Sequence, residues 1–404
     1  MTHETRFRQQ LIWAFYVPSA LIAVAYSILT PILPLYAGNL TSAYVLIGIV
    51  LAAEAIGTVT GDLPASWMIR YIGMKRTMLL GITIAFVPML ALFFVNQIAL
   101  ATVLLFVSGI GHALYNISRH AYITVVAHAG IRGRTIGLLG GVFRIGKFIG
   151  PLLGGWVGGA FGLRYAFIAF GILAALTLVF VYVFLRDNRV NTAAKPEHTQ
   201  RHLIGEVLKQ RGRVLATAGT GQILAQLTRV GWRVLIPLYA ANMLGLDVQT
   251  IGLIVGAGAA FDMLFFYVSG ILMDRFGRKW AIVPSFVMQG IGVALILVAS
   301  DAWSLGGVAM FIGFANGLSS GTMMTLGSDF APATMRGEFL SMWRLIGDMG
   351  MVGGPIVVGT VAQVLVLQGS VLSIAGAGLG AAALFAFFVP ETLQKRKKSV
   401  TSGD

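Results

Sequence analysis

Gly270-Ile271-Leu272-Met273-Asp274-Arg275-Phe276-Gly277-Arg278-Lys279 joins two apolar runs, 248–273 and 280–299. About 20 apolar residues suffice for a helix to cross a bilayer, so this stretch reads as a charged turn at a membrane surface. The turn has a copy 204 residues earlier, where Gly73-Met74-Lys75 stands for Gly277-Arg278-Lys279. The same spacing relates Arg132-Gly133 to Arg336-Gly337 and Gly150-Pro151 to Gly354-Pro355. A repeat of that length in apolar sequence reads as two membrane bundles in tandem, a construction found in secondary transporters.

Composition leads the same way. Of 404 residues, 57% are hydrophobic and 11% charged, against roughly 25% charged in soluble domains. So little polar surface cannot cover a water-soluble fold, and the fold class is an all-α polytopic membrane protein. The absence of cysteine excludes a disulfide framework and thiolate metal ligands. No Gly-Lys-Ser/Thr phosphate loop supports direct ATP drive, and no ligand set has metal spacing. We therefore expect no catalytic residues, no metal and no cofactor.

Twelve spans are predicted: 11–37, 43–68, 77–95, 98–126, 135–160 and 163–185, then 214–243, 248–273, 280–299, 305–326, 339–366 and 371–389. They group into an N-terminal six-helix half (1–186) and a C-terminal half (214–392). A solvated linker (187–213), with room for a short surface helix, joins them, and a basic tail (393–404) follows. The first run is too long for the core of a cleaved signal peptide. Most of the 29 Lys and Arg residues fall in the tail, the linker and alternate loops, including Arg70, Lys75, Arg76, Arg132, Arg134 and Arg336. Positive loops stay in the cytoplasm, so both termini are expected there, in an inner (plasma) membrane of bacterial type. This placement accounts for most of the net charge of +14 and removes the case for nucleic acid. The expected partners are the lipid bilayer, a small molecule and protons, with the chain acting as a monomer.

The quoted turn matches G-x-L-x-D-R-x-G-R-K, the loop signature between the second and third helices of a half in the major facilitator superfamily. The chain resembles that family over essentially its whole length. The first-half copy keeps Gly73 and Lys75 but has Arg70 where the acid belongs. The resemblance implies a gating role for Asp274, Arg275, Gly277, Arg278 and Lys279. Asp274 can pair with Arg278 and face the positive end of a neighbouring helix, expected near the start of the fifth span. The alternative is that these residues only set loop topology.

In the fifth span, Gly146, Gly150, Pro151, Gly154 and Gly155 fit G-x-x-x-G-P-x-x-G-G, which is similar to the signature of drug:proton antiporters. Small residues allow close helix approach, and the eleventh span repeats Gly350, Gly354, Pro355 and Gly359. Two departures stand beside the match. The first span has no acid, and Leu105 occupies the position four before Gly109 where the family pattern has Arg.

Charges at membrane depth are costly and mark cavities or partners. The bases in the spans are Arg119, Arg144, Lys147, Arg229, Arg233 and Arg344; the acids are Glu54, Asp62, Asp262 and Asp348. Arg229 and Arg233 share a face at i,i+4, as do Arg344 and Asp348, and Arg144 and Lys147 lie a turn before the Gly-Pro bend. By resemblance the first, fourth, seventh and tenth helices line a central cavity. That would direct Arg119, Arg229 and Arg233 to it, with Tyr26, Tyr36, His112, Tyr115, Asn116 and Gln226 as lining. Either the bases form an anion site, for which the planar guanidinium is suited, or they pair with the acids. Glu54 and Asp262, nearest mid-membrane, then Asp62 and Asp348, are the candidate proton carriers, or else members of static ion pairs. His112 and His120 read as hydrogen-bonded fillers.

The function expected is proton-coupled export of a small amphiphilic, anionic molecule by alternating access. The alternatives are an organic-anion importer or exchanger, and a transporter-derived sensor that has lost transport.

Overall fold

The computed structural model describes residues 11–126, 129–185 and 197–393. The side chains of 126, 129–134, 136 and 197–204 lie outside that description. Arg132, Arg134, most of the linker and the tail from 394 therefore enter no argument below.

The described residues form helices and no strand. The N-terminal half comprises α1 (Ile12–Leu40), α2 (Tyr44–Ile72), α3 (Met74–Phe94), α4 (Ile98–Val126), α5 (Ala129–Phe161) and α6 (Tyr165–Phe184). The C-terminal half opens with α7 (Glu197–Asn242), α8 (Val248–Arg275), α9 (Arg278–Val298) and α10 (Ala302–Phe330). The last helix, Arg336–Phe387, leaves helical geometry at Leu365 and at Val366, where φ is 52°. There the Ser370 hydroxyl donates to the Val358 carbonyl at 2.7 Å. A straight helix would hold residues 12 apart at about 18 Å, so the chain folds back, giving α11 (336–364) and α12 (367–387).

Ten described stretches are long and apolar enough to cross a membrane. The last of them holds both α11 and α12. α7 supplies the remaining span; Arg229 and Arg233 lower its hydropathy. Large apolar side chains face outward along the bundle, among them Leu63, Val103, Val179, Leu264 and Val364. Exposed surface of that kind is what a lipid-facing wall requires.

Two expectations are corrected. α7 begins at Glu197, inside the segment read as a solvated linker, and continues unbroken into the seventh span. The span expected at 305–326 is interrupted at Ser319–Gly321, where Gly321 takes φ 78°, open to glycine because it lacks Cβ.

The repeat is visible in contacts. A Cβ on Gly109 would stand 2.1 Å from the Glu54 carbonyl oxygen, and one on Gly313 would stand 2.0 Å from that of Gly258; each partner lies 204 residues on. At one end, which carries the turns at Gly73 and Gly277, Lys75 Nζ donates to the Tyr182 carbonyl at 2.7 Å and Lys279 Nζ to the Ala386 carbonyl at 2.6 Å. Both turn glycines have positive φ, 87° and 122°. We call this the basic end. At the opposite end, each half is tied to the other by small residues of α2 with α11 and of α5 with α8.

Candidate functional site

The glycines of α5 serve two faces. Gly146, Gly150 and Gly154, spaced by four, press on Ala23, Ser27 and Ile28 of α1; an added Cβ would come within 2.6, 2.3 and 2.2 Å of them. Gly155 points a quarter-turn away, to Gly252 of α8. One face thus holds α5 inside its own half, and the other meets the opposite half. α11 repeats the plan, with Gly350 and Gly354 on α7 and Gly359 on Gly48 of α2.

Between the halves lies a central cavity of about 240 Å³ lined from α1, α2, α5, α7, α8 and α10. It gathers Tyr26, Glu54, Lys147, Arg233 and Asp262, with Pro151, Trp232 and Asn316. Lys147 is reached by the sequence as part of the α5 motif; its place a turn before Pro151 brings it into the cavity. It is accessible yet deep, because open cavity and not a neighbour faces it. Asp262 is 7% exposed and accepts from Asn316 Nδ2 at 2.8 Å. Glu54 Oε1 lies 3.5 Å from His112 Nδ1, and the Tyr26 ring stacks on the His112 ring at 4.0 Å. Arg233 rests against the Trp232 ring, 5.5 Å from its centroid. Neither Lys147 nor Arg233 forms a hydrogen bond or ion pair with a described residue.

The other sequence candidates lie elsewhere. Arg229 turns to the break in α10, donating from Nη2 to the Ser319 carbonyl at 3.0 Å and its hydroxyl at 2.8 Å, and from Nη1 to Gln226 Oε1 at 3.3 Å. A cation there suits the carbonyl end of a helix. Arg119 is 3% exposed, its guanidinium 4.5 Å from the Phe143 ring centroid and 5.3 Å from that of Tyr115. Its helix turns it into the N-terminal half and not into the cavity. The Asn116 carbonyl lies 2.7 Å from His120 Nδ1. Tyr36 is buried on α1 and donates to the Leu92 and Val95 carbonyls, each at 3.1 Å. A phenol held at the end of α3 cannot also line the centre.

Asp62 and Asp348 meet at the boundary of the halves. Arg344 Nη2 stands 2.9 Å from Asp62 Oδ2, and its Nε 3.7 Å from Asp348 Oδ2. Arg344 therefore pairs more closely with the other half than with its own helix. In the corresponding place between α5 and α8, Arg144 meets the Ser320 hydroxyl and lies 4.2 Å above the Phe266 ring.

In the basic-end turn, Asp274 Oδ1 is 3.6 Å from Arg278 Nη1. The closer partner of Arg278 is Asp329, at 2.9 Å, and its Nη1 also donates to the Met273 carbonyl at 2.8 Å. Glu391 caps α9 from the far end of the chain, accepting from the Arg278 and Lys279 backbone N–H groups at 2.9 and 3.0 Å. Burial pulls the Glu391 carboxyl upward, but the N–H donors of Leu393, Lys279, Arg278 and Thr392 outweigh it and hold the group below the usual carboxylate range. Arg275 stacks beside Phe276 at 5.6 Å. The first turns of α5, where the sequence placed the partner of Asp274, lie outside the described side chains.

Trp232, Asn316 and the break at Ser319–Gly321 are not reached by the sequence reading. The Ser-Ser-Gly run inside an apolar span was the available signal for the break. His112, read there as a filler, is the nearest basic group to Glu54.

The Major Facilitator Superfamily model matches residues 17–228 and 218–404. The chain is 21% identical over 340 residues to an uncharacterised MFS-type transporter of Methanocaldococcus jannaschii, covering 83% of this chain and 87% of that one. It is 24% identical over 233 residues to a multidrug resistance efflux pump homologue of Lactococcus lactis subsp. lactis, covering 57% of each. The crystal structure of a D-xylose–proton symporter superposes with TM-score 0.77 at 16% identity, covering 94% of this chain and 98% of that one. Twelve spans in two matched halves around a charged cavity thus agree with the comparisons: the chain belongs to the Major Facilitator Superfamily, and is an integral membrane transporter and not an enzyme.

Proposed function

We propose that this transporter exports a small amphiphilic anion, coupled to protons, by alternating access of the central cavity to the two membrane faces. One observation carries the reading. Lys147 and Arg233 come one from each half, face the same cavity, and form no hydrogen bond or ion pair with a described residue, although Glu54 and Asp262 line that cavity too. An ionised headgroup between them would supply a direct ion pair that neither base makes with a described residue, with the guanidinium offering two donors. Trp232, Tyr26 and Val255 would pack an apolar body. Because the two bases belong to opposite halves, a bound anion would draw the halves together, which is the movement alternating access needs. In this reading the basic end faces the cytoplasm, which the positive-inside rule supports. Export is supported by the Gly-Pro pattern of α5 and by the likeness to an efflux pump homologue.

A second reading, symport of an anion with a proton, is favoured by the charges themselves. Protonating Glu54 or Asp262 adds positive charge beside Lys147 and Arg233, so proton and anion would strengthen each other's binding. Exchange requires the two to occupy the cavity in turn.

The test is a melting-temperature screen of the purified protein with organic anions, sugar phosphates, lipophilic cations and neutral drugs. Ligand at 100 times its Kd stabilises the folded state by about 2.7 kcal/mol. Amphiphilic anions are expected to raise Tm, and Lys147→Met or Arg233→Gln to remove the shift. Stabilisation by lipophilic cations alone would overturn the reading.

A further inference from the structure

We infer that the cavity at the basic end is a second binding subsite for the same class of amphiphilic anion, with Arg144 receiving the headgroup before it passes to Lys147 and Arg233. The inference rests on the anionic-substrate reading above, and it assigns a site which that reading does not use.

This cavity measures about 670 Å³, against about 240 Å³ at the centre, and lies between α5, α8 and the break in α10. Its walls include Gly137, Gly270 and Gly321, where an added Cβ would meet nothing within 4 Å. Its charged lining is two bases, Arg144 and Arg275, and one acid, Asp274, and Asp274 already has Arg278 at 3.6 Å. Tyr267 and Ile271, both exposed, give it an apolar rim.

Arg144 is held only by neutral groups. Its Nη1 donates to the Gly140 carbonyl at 3.3 Å, its Nη2 meets the Ser320 hydroxyl, and its plane lies over Phe266. Its Nε is buried with no partner. No described carboxylate lies within ion-pair distance. A cation at membrane depth without an ion pair is costly, and a charge-assisted pair is roughly twice as strong as a neutral hydrogen bond. A sulfonate, phosphate or carboxylate arriving there would therefore displace Ser320.

The placement of the bases gives the subsite its direction. Arg144 precedes Lys147 by one turn on α5, and Arg229 precedes Arg233 by one turn on α7, each about 5 Å along the helix. Arg144 and Arg229 hold the adjacent residues Ser320 and Ser319 at the α10 break. The four bases thus form two tiers, one at the break and one at the central cavity. An anion that takes Arg144 from Ser320 loosens the break and stands one turn from the inner tier.

Naphthalene-2-sulfonate, which stays ionised and carries no proton, is the probe, with methanesulfonate as its tailless control. Binding is measured by calorimetry on the full chain in phosphatidylcholine nanodiscs. The expected result is two sites, the weaker lost in Arg144→Gln and partly restored in Arg144→Lys, the tighter lost in Arg233→Gln. In proteoliposomes, Arg144→Gln is expected to raise KM for substrate offered at the basic face by roughly tenfold, equivalent to about 1.4 kcal/mol, with kcat within about twofold. A single site lost only in Arg233→Gln, or an unchanged KM in Arg144→Gln, overturns the subsite and leaves the central reading standing. No binding to the wild type overturns both. Loss of the weaker site when phosphatidylglycerol is added to the nanodisc would assign the pocket to a lipid headgroup and overturn the access role.

Discussion

Gly155 of α5 and Gly252 of α8 touch backbone to backbone: a Cβ built on Gly252 would lie 2.6 Å from the Gly155 Cα. The contact recurs between Gly359, 204 residues after Gly155, and Gly48, 204 residues before Gly252: a Cβ on Gly48 would lie 3.1 Å from the Gly359 Cα and 2.5 Å from the Pro355 carbonyl oxygen. Two pseudo-equivalent glycine pairs therefore close the halves against each other at the end opposite the basic turns. No side chain larger than hydrogen fits there without moving a helix.

Gly252→Val is expected to push the halves apart at that end. Overpacking costs about 1–3 kcal/mol, enough to move a two-state balance by roughly five- to 150-fold. The chain has no cysteine, so Asn39→Cys in the adjoining vestibule supplies a single labelling site. Faster maleimide labelling of Asn39→Cys in the Gly252→Val background is the expected outcome. An unchanged rate would mean that the contact does not govern closure.

At the other end, the Arg344–Asp62 pair crosses between the halves. Arg344 is 55% exposed, so its contribution falls in the range of about 0–1 kcal/mol for screened pairs. Arg344→Gln is expected to speed labelling of a cysteine at Gly137 by no more than about fivefold. The exchange of Arg344→Asp with Asp62→Arg should recover part of that change. A larger response to Asp348→Asn than to Asp62→Asn would show that the pair within α11 matters more.

Glu54 and Asp262 differ in their partners, and the difference is testable. Glu54 faces His112, whose imidazole carries both donor and acceptor nitrogens. Asp262 accepts from an amide nitrogen, which only donates. Glu54→Gln is expected to abolish accumulation driven by a pH gradient while leaving substrate exchange intact. Asp262→Asn is expected to alter substrate affinity first. Gradient-driven uptake and counterflow in proteoliposomes, measured on both variants, separate the two. Full gradient-driven activity in Glu54→Gln would remove it from coupling.

Glu391 has a depressed folded pKa, so its stabilising contribution is present above the unfolded value, about 4.3, and is lost as pH falls through the lower folded value. Glu391→Gln is expected to lower stability at pH 7 by about 1 kcal/mol after allowance for solvent. Melting curves of the two proteins should converge as pH drops below 4. A constant difference across that range would place the effect in packing and not in the charge.

The twelve spans, their division into halves and the glycine turns at 73 and 277 were legible in the residues alone. Length and apolarity decide whether a helix can cross a bilayer, and a repeat at fixed spacing shows in the residue order. The glycines of α5 were legible as a packing stripe, but not the division of labour between Gly150, which faces α1, and Gly155, which faces α8.

Side-chain partners belong to the tertiary structure. Arg344 has an acid four residues on, yet its shorter contact is with Asp62, far away in the sequence. Arg229 and Arg233 share a helix face, but one braces Ser319 and the other faces the cavity. Tyr36 and Arg119 looked like lining and are spent inside the N-terminal half. Helical periodicity sets only the angle between residues on one helix. The rotation of each helix about its axis, and the depth at which it crosses its neighbours, come from many glycine and apolar contacts summed over the bundle. Those contacts brought Lys147 and Arg233 from opposite halves to the same cavity.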